Sequence, residues 1–327
     1  MDVTAKHIGS FFIVSFPEKI PGDDTLYFFQ DKRIGGIIFF ADHCRDQDSL
    51  KSWLADFTKT LGRPLITAVD QEGGRVRRFT RGFPRLESPR YYGSRRRLAL
   101  YRSDLSRVCE RLYEIGINLN LVPVVDLFDA EKGHVLDTRT FSDKPDVVSR
   151  LARLTIDVHR QQGLLTCAKH FPGLGRSGGD PHLILSTADL DENDFNETEL
   201  PPFKDVIEYG VDAVMVTHLA VPKVDPHPAV VSNKIIGGWL KEKLAFSGPV
   251  ITDDLLMTGA ADIDATPDLA VRSFEAGADL LLFGQNLKET RSAFEAFTEA
   301  WDVGRFAPER IADAEKRVEQ LLRKLVP

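Results

Sequence analysis

Cysteine is scarce: Cys44, Cys109 and Cys167 are the only three in 327 residues, odd in number, scattered and never in CxxC spacing. That excludes a disulfide framework, gives no cysteine zinc site, and fits a reducing compartment. Long apolar runs are missing too. No segment reaches the ~18 uninterrupted apolar residues of a membrane span. The opening MDVTAKHIGSFFIVSFPEK has too short an apolar stretch, and no small-residue cleavage pattern, for a signal peptide. A cytoplasmic location with no membrane partner is therefore expected. A basic excess is also absent: the net charge is −7 and the RRR at 95–97 reads as a solvated surface turn, so no nucleic-acid partner is expected. No linker rich in Pro, Gly or Ser divides the chain, so residues 1–327 are read as one domain, and as a monomer.

What the chain does have is rhythm. Eight short β-prone runs recur: SFFIVSF from 10, GGIIFFA from 35, PLITAVD from 64, INLNLVPVVD from 117, LLTCAKHF from 164, DAVMVTHL from 212, PVITDDLL from 249 and ADLLLFG from 278. They are nearly continuously apolar, as parallel strands buried on both faces are. Amphipathic stretches with helix punctuation separate most of them. In one, Thr266 is expected as N-cap with Pro267 at the first helical position and Asp268 in the first turn, and Gly277 closes it. Glycine, a spacer and a polar residue precede an apolar run in IGINLNLV, YGVDAVMV and AGADLLLF, a weak internal repeat. Eight such units fit an α/β fold, a single (β/α)8 TIM barrel. A doubly wound open sheet would want GxGxxG after the first strand, and that fingerprint is missing. Ile311, Ala314, Val318, Leu321, Leu322 and Leu325 recur at helical spacing and predict a C-terminal helix packed on the barrel.

In such a barrel the chemistry gathers at the C-terminal strand ends. Those ends carry Asp70 with Arg75 and Arg78; Asp126 with Arg139 on its loop; Lys169-His170; Thr217-His218; and Asp253-Asp254. Plain readings stand beside functional ones. Asp126 caps a turn or pairs with an arginine, His218 is as well read as a satisfied rim histidine as a catalyst, and Arg75 and Arg77 are surface charges. Asp253-Asp254 resists a plain reading, because two adjacent acids ending an apolar strand cost desolvation unless paired or used. CAKHFPGLGRSGGDPH, 167–182, reads as a strand end followed by a loop whose glycines let Asp180 and His182 move. Three reaction classes draw on this set. A metal-dependent amidohydrolase would use His170, His182, His218 and Asp253, but the first strand has no HxH; no metal and no cofactor are expected. A phosphate-binding barrel finds only Gly284 and Asn286 after the last strand. A glycosidase needs a carboxylate nucleophile, a proton donor and groups that orient hydroxyls, which Asp70, Arg78, Arg139, Lys169 and His170 suit.

DQEGGRVRR, DTRTF, KHFPGLG, DPH, DAVMVTHL and TDDLLMTGA, in that order over about residues 10 to 285, resemble glycoside hydrolase family 3 in its single-domain β-N-acetylglucosaminidase branch. The resemblance implies a retaining enzyme with Asp253 as nucleophile and His182, held by Asp180, as acid and base on a mobile loop. It implies sugar-binding roles at Asp70, Arg78, Arg139, Lys169 and His170, with His218 added as a rim contact, and a small carbohydrate, terminal N-acetylglucosamine of cell-wall muropeptides, as partner. A phosphorylase or β-glucosidase of the same family is the alternative, and a non-catalytic sugar binder stands further off. Leu174 replaces the family's usual second histidine, Pro181 and Ser186 replace a serine and a proline, and Thr252 replaces the serine before the nucleophile. Pro181 stiffens the step from Asp180 to His182.

Overall fold

The computed structural model describes residues 7–94, 97–128, 136–178 and 185–326. The apolar runs become eight parallel strands: β1 Phe12–Val14, β2 Gly36–Phe39, β3 Ile66–Val69, β4 Leu119–Asn120, β5 Leu165–Phe171, β6 Ala213–Val216, β7 Val250–Thr252 and β8 Leu281–Phe283. All are buried on both faces, which is why their sequences do not alternate. They run β8-β1-β2-β3-β4-β5-β6-β7, and the ring closes through a parallel bridge between Ile251 and Leu280. The expected barrel is present. The run from 117 yields only a two-residue ladder, because Pro123 has no N–H to give. Beyond it the chain stays extended and is held by single bonds, Leu121 to the Val69 carbonyl at 2.9 Å and Val125 to the Lys169 carbonyl at 2.9 Å.

Helices follow the strands in turn: α1 Asp23–Asp31, α2 Gln47–Leu61, α3 Leu98–Ile115, α4 Pro145–Gln161, α5 Leu200–Glu208, α6 Lys234–Lys243 in π-helical form, α7 Thr266–Ala276 and α8 Leu287–Asp302. The start of α7 corrects the expectation by one residue. Ala265 is the N-cap, without a side-chain bond, and Thr266 is already helical; Gly277 ends the helix at φ 120°, where a side chain would be strained.

The predicted C-terminal helix is α9, Pro308–Arg323, with Ala314, Val318, Leu321 and Leu322 buried and Ile311 and Leu325 packed at its margin. It lies across the N-terminal ends of the strands, opposite the site. Arg317 donates to the carbonyls of Phe246 and Gly248 at 2.7 and 2.9 Å. Asp279, fully buried just ahead of β8, accepts Lys241 at 2.9 Å, Arg310 at 2.8 Å and the Val250 N–H at 2.8 Å. Among the described residues no helix is long and apolar enough to cross a membrane.

Candidate active site

At the C-terminal mouth lies a cavity of about 400 Å³, within the range of small-molecule sites, lined by Asp70, Arg78, Arg139, Lys169 and His170 and by Asp253 and Asp254. Local folding explains how distant residues meet there. Gln71, buried at the start of the loop after β3, accepts the N–H groups of Arg78 and Phe79 on its Oε1 at 2.8 and 3.1 Å. The loop thereby doubles back, and Arg78 reaches Asp70 at 2.9 Å.

From there charges alternate inward. Lys169 bridges Asp70 at 2.6 Å and Glu72 at 2.8 Å; Glu72 takes two N–H groups from Arg139, both at 2.8 Å; and Arg139 reaches His170 Nε2 at 3.2 Å. An arginine only donates, so His170 Nε2 accepts, and the ring proton sits on Nδ1, donated to Asp126 at 2.7 Å. Asp126 also accepts the N–H of His170 at 3.1 Å and of Leu174 at 2.7 Å. It therefore holds His170 and caps the turn that follows, the first of the two plain readings, and not the arginine pairing.

Burial opposes every charge in this row, and partners outweigh it. Asp70 is pushed up by burial, but Lys169 and Arg78 hold it far below the usual carboxylate range; burial likewise raises Glu72, which Arg139 and Lys169 bring to about 2. Lys169 would lose its proton more easily for being buried, yet Asp70 and Glu72 raise it above a free lysine. These groups stay charged across the neutral range.

Asp253 follows β7, its N–H on the Val216 carbonyl at 2.8 Å and its Oδ1 on the Asp254 N–H at 2.9 Å. Asp254 Oδ1 accepts the N–H groups of Leu256 and Gly284 at 3.0 and 2.8 Å. Burial first, and the charges of Asp253 and Asp70 after it, lift Asp254 to about 6 against those two bonds.

His218, expected against the sugar, is instead fully buried behind this pair and does not line the cavity. Its Nε2–H donates to the Asp254 carbonyl at 3.0 Å, its Nδ1 has no partner among the described residues, and burial lowers its pKa against the pull of Asp253. Arg75 and Arg77 are exposed, as surface charges are, though Arg75 also lines the cavity mouth. Among the described residues no three His, Cys, Asp or Glu side chains are grouped to hold a metal.

A family model, the glycosyl hydrolase family 3 N terminal domain, matches residues 8–321. The chain belongs to glycosyl hydrolase family 3. A β-hexosaminidase of Nitrosomonas eutropha is 32% identical over 255 residues, 76% of this chain and 73% of that protein. One of Neisseria gonorrhoeae is 35% identical over 264 residues, 77% and 72% of the two chains. Among solved structures, a family 3 β-N-acetylglucosaminidase from Paenibacillus sp. str. FPU-7 superimposes with a TM-score of 0.93 at 29% identity, over 97% of this chain and 61% of that one. LpqI of M. tuberculosis gives 0.87 at 27% identity, over 96% and 92%. The chain thus spans somewhat less than two thirds of the Paenibacillus protein.

The departures noted in the sequence of this family 3 member have plain places. Leu174 lines the cavity; Thr252 Oγ1 accepts the Leu282 N–H at 2.9 Å between β7 and β8; Ser186 is buried in a short ribbon paired with Leu219. Gly175 serves close packing: a Cβ there would stand 1.4 Å from the Leu127 carbonyl oxygen. Ser177 also bonds back to the Leu174 carbonyl, so residues 173–178 form a packed turn, while the mobile part expected around Asp180 and His182, Pro181 included, lies outside the described residues. Sequence reasoning singled out neither Gln71 nor Glu72. Both stand inside DQEGGRVRR, and an acid within a motif that also holds three arginines is the available signal.

Proposed function

We propose that this family 3 member is a retaining glycosidase that removes terminal β-linked N-acetylglucosamine. The observation that carries the reading is Asp253, a carboxylate at a strand end, across one cavity from a fixed row of hydrogen-bond donors. In double displacement Asp253 attacks the anomeric carbon and forms a covalent glycosyl-enzyme as an acid protonates the leaving oxygen; water, deprotonated by the same group, then releases the sugar. His182, oriented by Asp180, is assigned that acid and base role, because an imidazole near neutral pKa serves in both directions. Asp70, Arg78, Lys169 and Arg139 orient hydroxyls, with His170 beside them.

The names of the β-hexosaminidase relatives and of the Paenibacillus enzyme support the choice of sugar. Muropeptides met in the cytoplasm are the assigned substrate source, which the three buried free cysteines suit.

The test is nitrophenol release from aryl β-N-acetylglucosaminide and aryl β-glucoside, with and without phosphate, for wild type, Asp253→Ala and His182→Ala. Selective cleavage of the N-acetylglucosaminide, lost in Asp253→Ala by about four orders of magnitude or more, is expected. A phosphate-dependent rate with a sugar 1-phosphate product would turn the reading into a phosphorylase. A folded wild type inactive on both glycosides refutes it.

A further inference from the structure

One buried carboxylate near the site takes no part in the chemistry above. Glu199 ends a five-residue π-helical turn, Phe195–Glu199, that leads into α5; such turns are rare and concentrate at functional sites. Its side chain is 1% exposed, Oε1 accepts the Nε–H of Arg176 at 3.0 Å, and Oε2 has no hydrogen-bond partner among the described residues. It is wedged against the loop after β5, where a Cβ on Gly173 would stand 2.7 Å from Glu199 Cβ and 2.9 Å from Oε2. Arg176 crosses from that loop and also donates to the Asp194 carbonyl at 3.3 Å and to the Thr198 hydroxyl. The same loop carries Leu174, whose N–H is one of the three donors on Asp126.

A side chain that only filled space there would not need a charge, because a buried carboxylate with an unpaired oxygen is costly. The charged groups facing it are Arg176 from the β5 loop and Asp126 from the β4 loop. Burial foremost, with Asp126, pushes Glu199 up to about 7 against the pull of Arg176.

We propose that Glu199 and Arg176 are positioning residues of the sugar cavity. The pair clamps the β5 loop to the π-helical turn, which fixes the Leu174 bond to Asp126, hence the direction of His170 and the lone pair that Arg139 meets. The kinetic arm of its test rests on the glycosidase reading; the spectroscopic arm does not.

Arg176→Met will fold, since the Arg176 side chain is 39% exposed; Glu199→Gln removes the charge at constant shape, and Arg176→Lys is the conservative control. On the full chain, kcat and KM for the aryl β-N-acetylglucosaminide are followed from about pH 5 to about pH 9. The downfield proton resonance of His170 Nδ1–H is followed as well, assigned by its loss in His170→Gln. Arg176→Met and Glu199→Gln should each raise KM about five- to tenfold with kcat within about twofold, flatten the dependence of KM on pH near neutrality, and move or broaden the resonance. Arg176→Lys should recover part of each. Wild-type KM with an unmoved resonance in both variants overturns the proposal, and so does a lowered Tm with KM and resonance unchanged. If the wild type does not turn over the glycoside, the glycosidase reading falls and the resonance alone decides the clamp.

Discussion

Replacing Glu72 by glutamine removes a negative charge from between two buried cations while keeping the shape of the side chain. Glu72 takes two N–H groups from Arg139 and pairs with the Lys169 ammonium at 2.8 Å, and the Lys169 side chain is only 2% exposed. Burial would raise the carboxyl, but Arg139 and Lys169 bring it from 4.5 down to about 2. At 1.36 kcal/mol per pH unit, that interval is about 3 kcal/mol of stabilisation. The folded pKa is the lower one, so the contribution is complete above about pH 4.5 and is lost as pH falls through about 2. Glu72→Gln is therefore expected to be about 3 kcal/mol less stable at neutral pH, the deficit narrowing in acid. With roughly 2.1 cal/mol/K of unfolding entropy per residue, this is a Tm lowered by about 4 °C for a chain of 327 residues. Urea titrations at about pH 7 and about pH 3.5, followed by the fluorescence of the three tryptophans, measure it. A deficit below about 0.5 kcal/mol at pH 7, or one that widens in acid, would show that Asp70 and His170 already compensate the cations and would refute the reasoning.

Asp254 works with the opposite sign. Its pKa is raised from 3.8 to about 6, so its contribution to stability is full below 3.8 and lost as pH rises through about 6. Asp254→Asn keeps an acceptor for Leu256 and Gly284 and should raise stability at pH 8 by up to about 3 kcal/mol, with little change at pH 3.5; thermal melts showing a lower Tm at pH 8 would contradict this. At the other end of the barrel, Asp279→Asn leaves Lys241 and Arg310 facing a neutral group and should cost about 3–5 kcal/mol in chemical unfolding. KM should stay within about twofold, and a larger change would mean that strain travels the length of the barrel.

The barrel was legible because parallel strands covered on both faces leave continuous apolar runs, and SFFIVSF or ADLLLFG can be little else in an alternating chain. Strand ends were less legible: Pro123 shortened β4, and the cap of α7 fell on Ala265, a residue with no capping group to announce it. Asp70, Lys169 and His170 were visible as polar residues ending apolar runs and Arg78 and Arg139 as charges on the loops that follow, and the fold brings them together. Glu72 was hidden because its worth lies in partners 67 and 97 residues away, Arg139 and Lys169. His218 was misplaced because a strand-end histidine looks the same in sequence whether it faces the cavity or turns behind the next strand. Gly175 marks a backbone approach to the Leu127 carbonyl that no composition reveals.

In the proposed glycosidase the ionic row beside Asp253 would hold a sugar with protons it does not give away. Lys169 is kept charged by two acids, the guanidinium groups of Arg78 and Arg139 do not deprotonate, and the one ring proton of His170 is committed to Asp126 on the edge away from Arg139. Recognition and proton delivery are consequently separate jobs. On that proposal a leaving glycosidic oxygen would be met by a proton from outside the row, so the acidity of that outside group would set the pH of activity while the row would set which sugar is held. Engineering the one need not disturb the other.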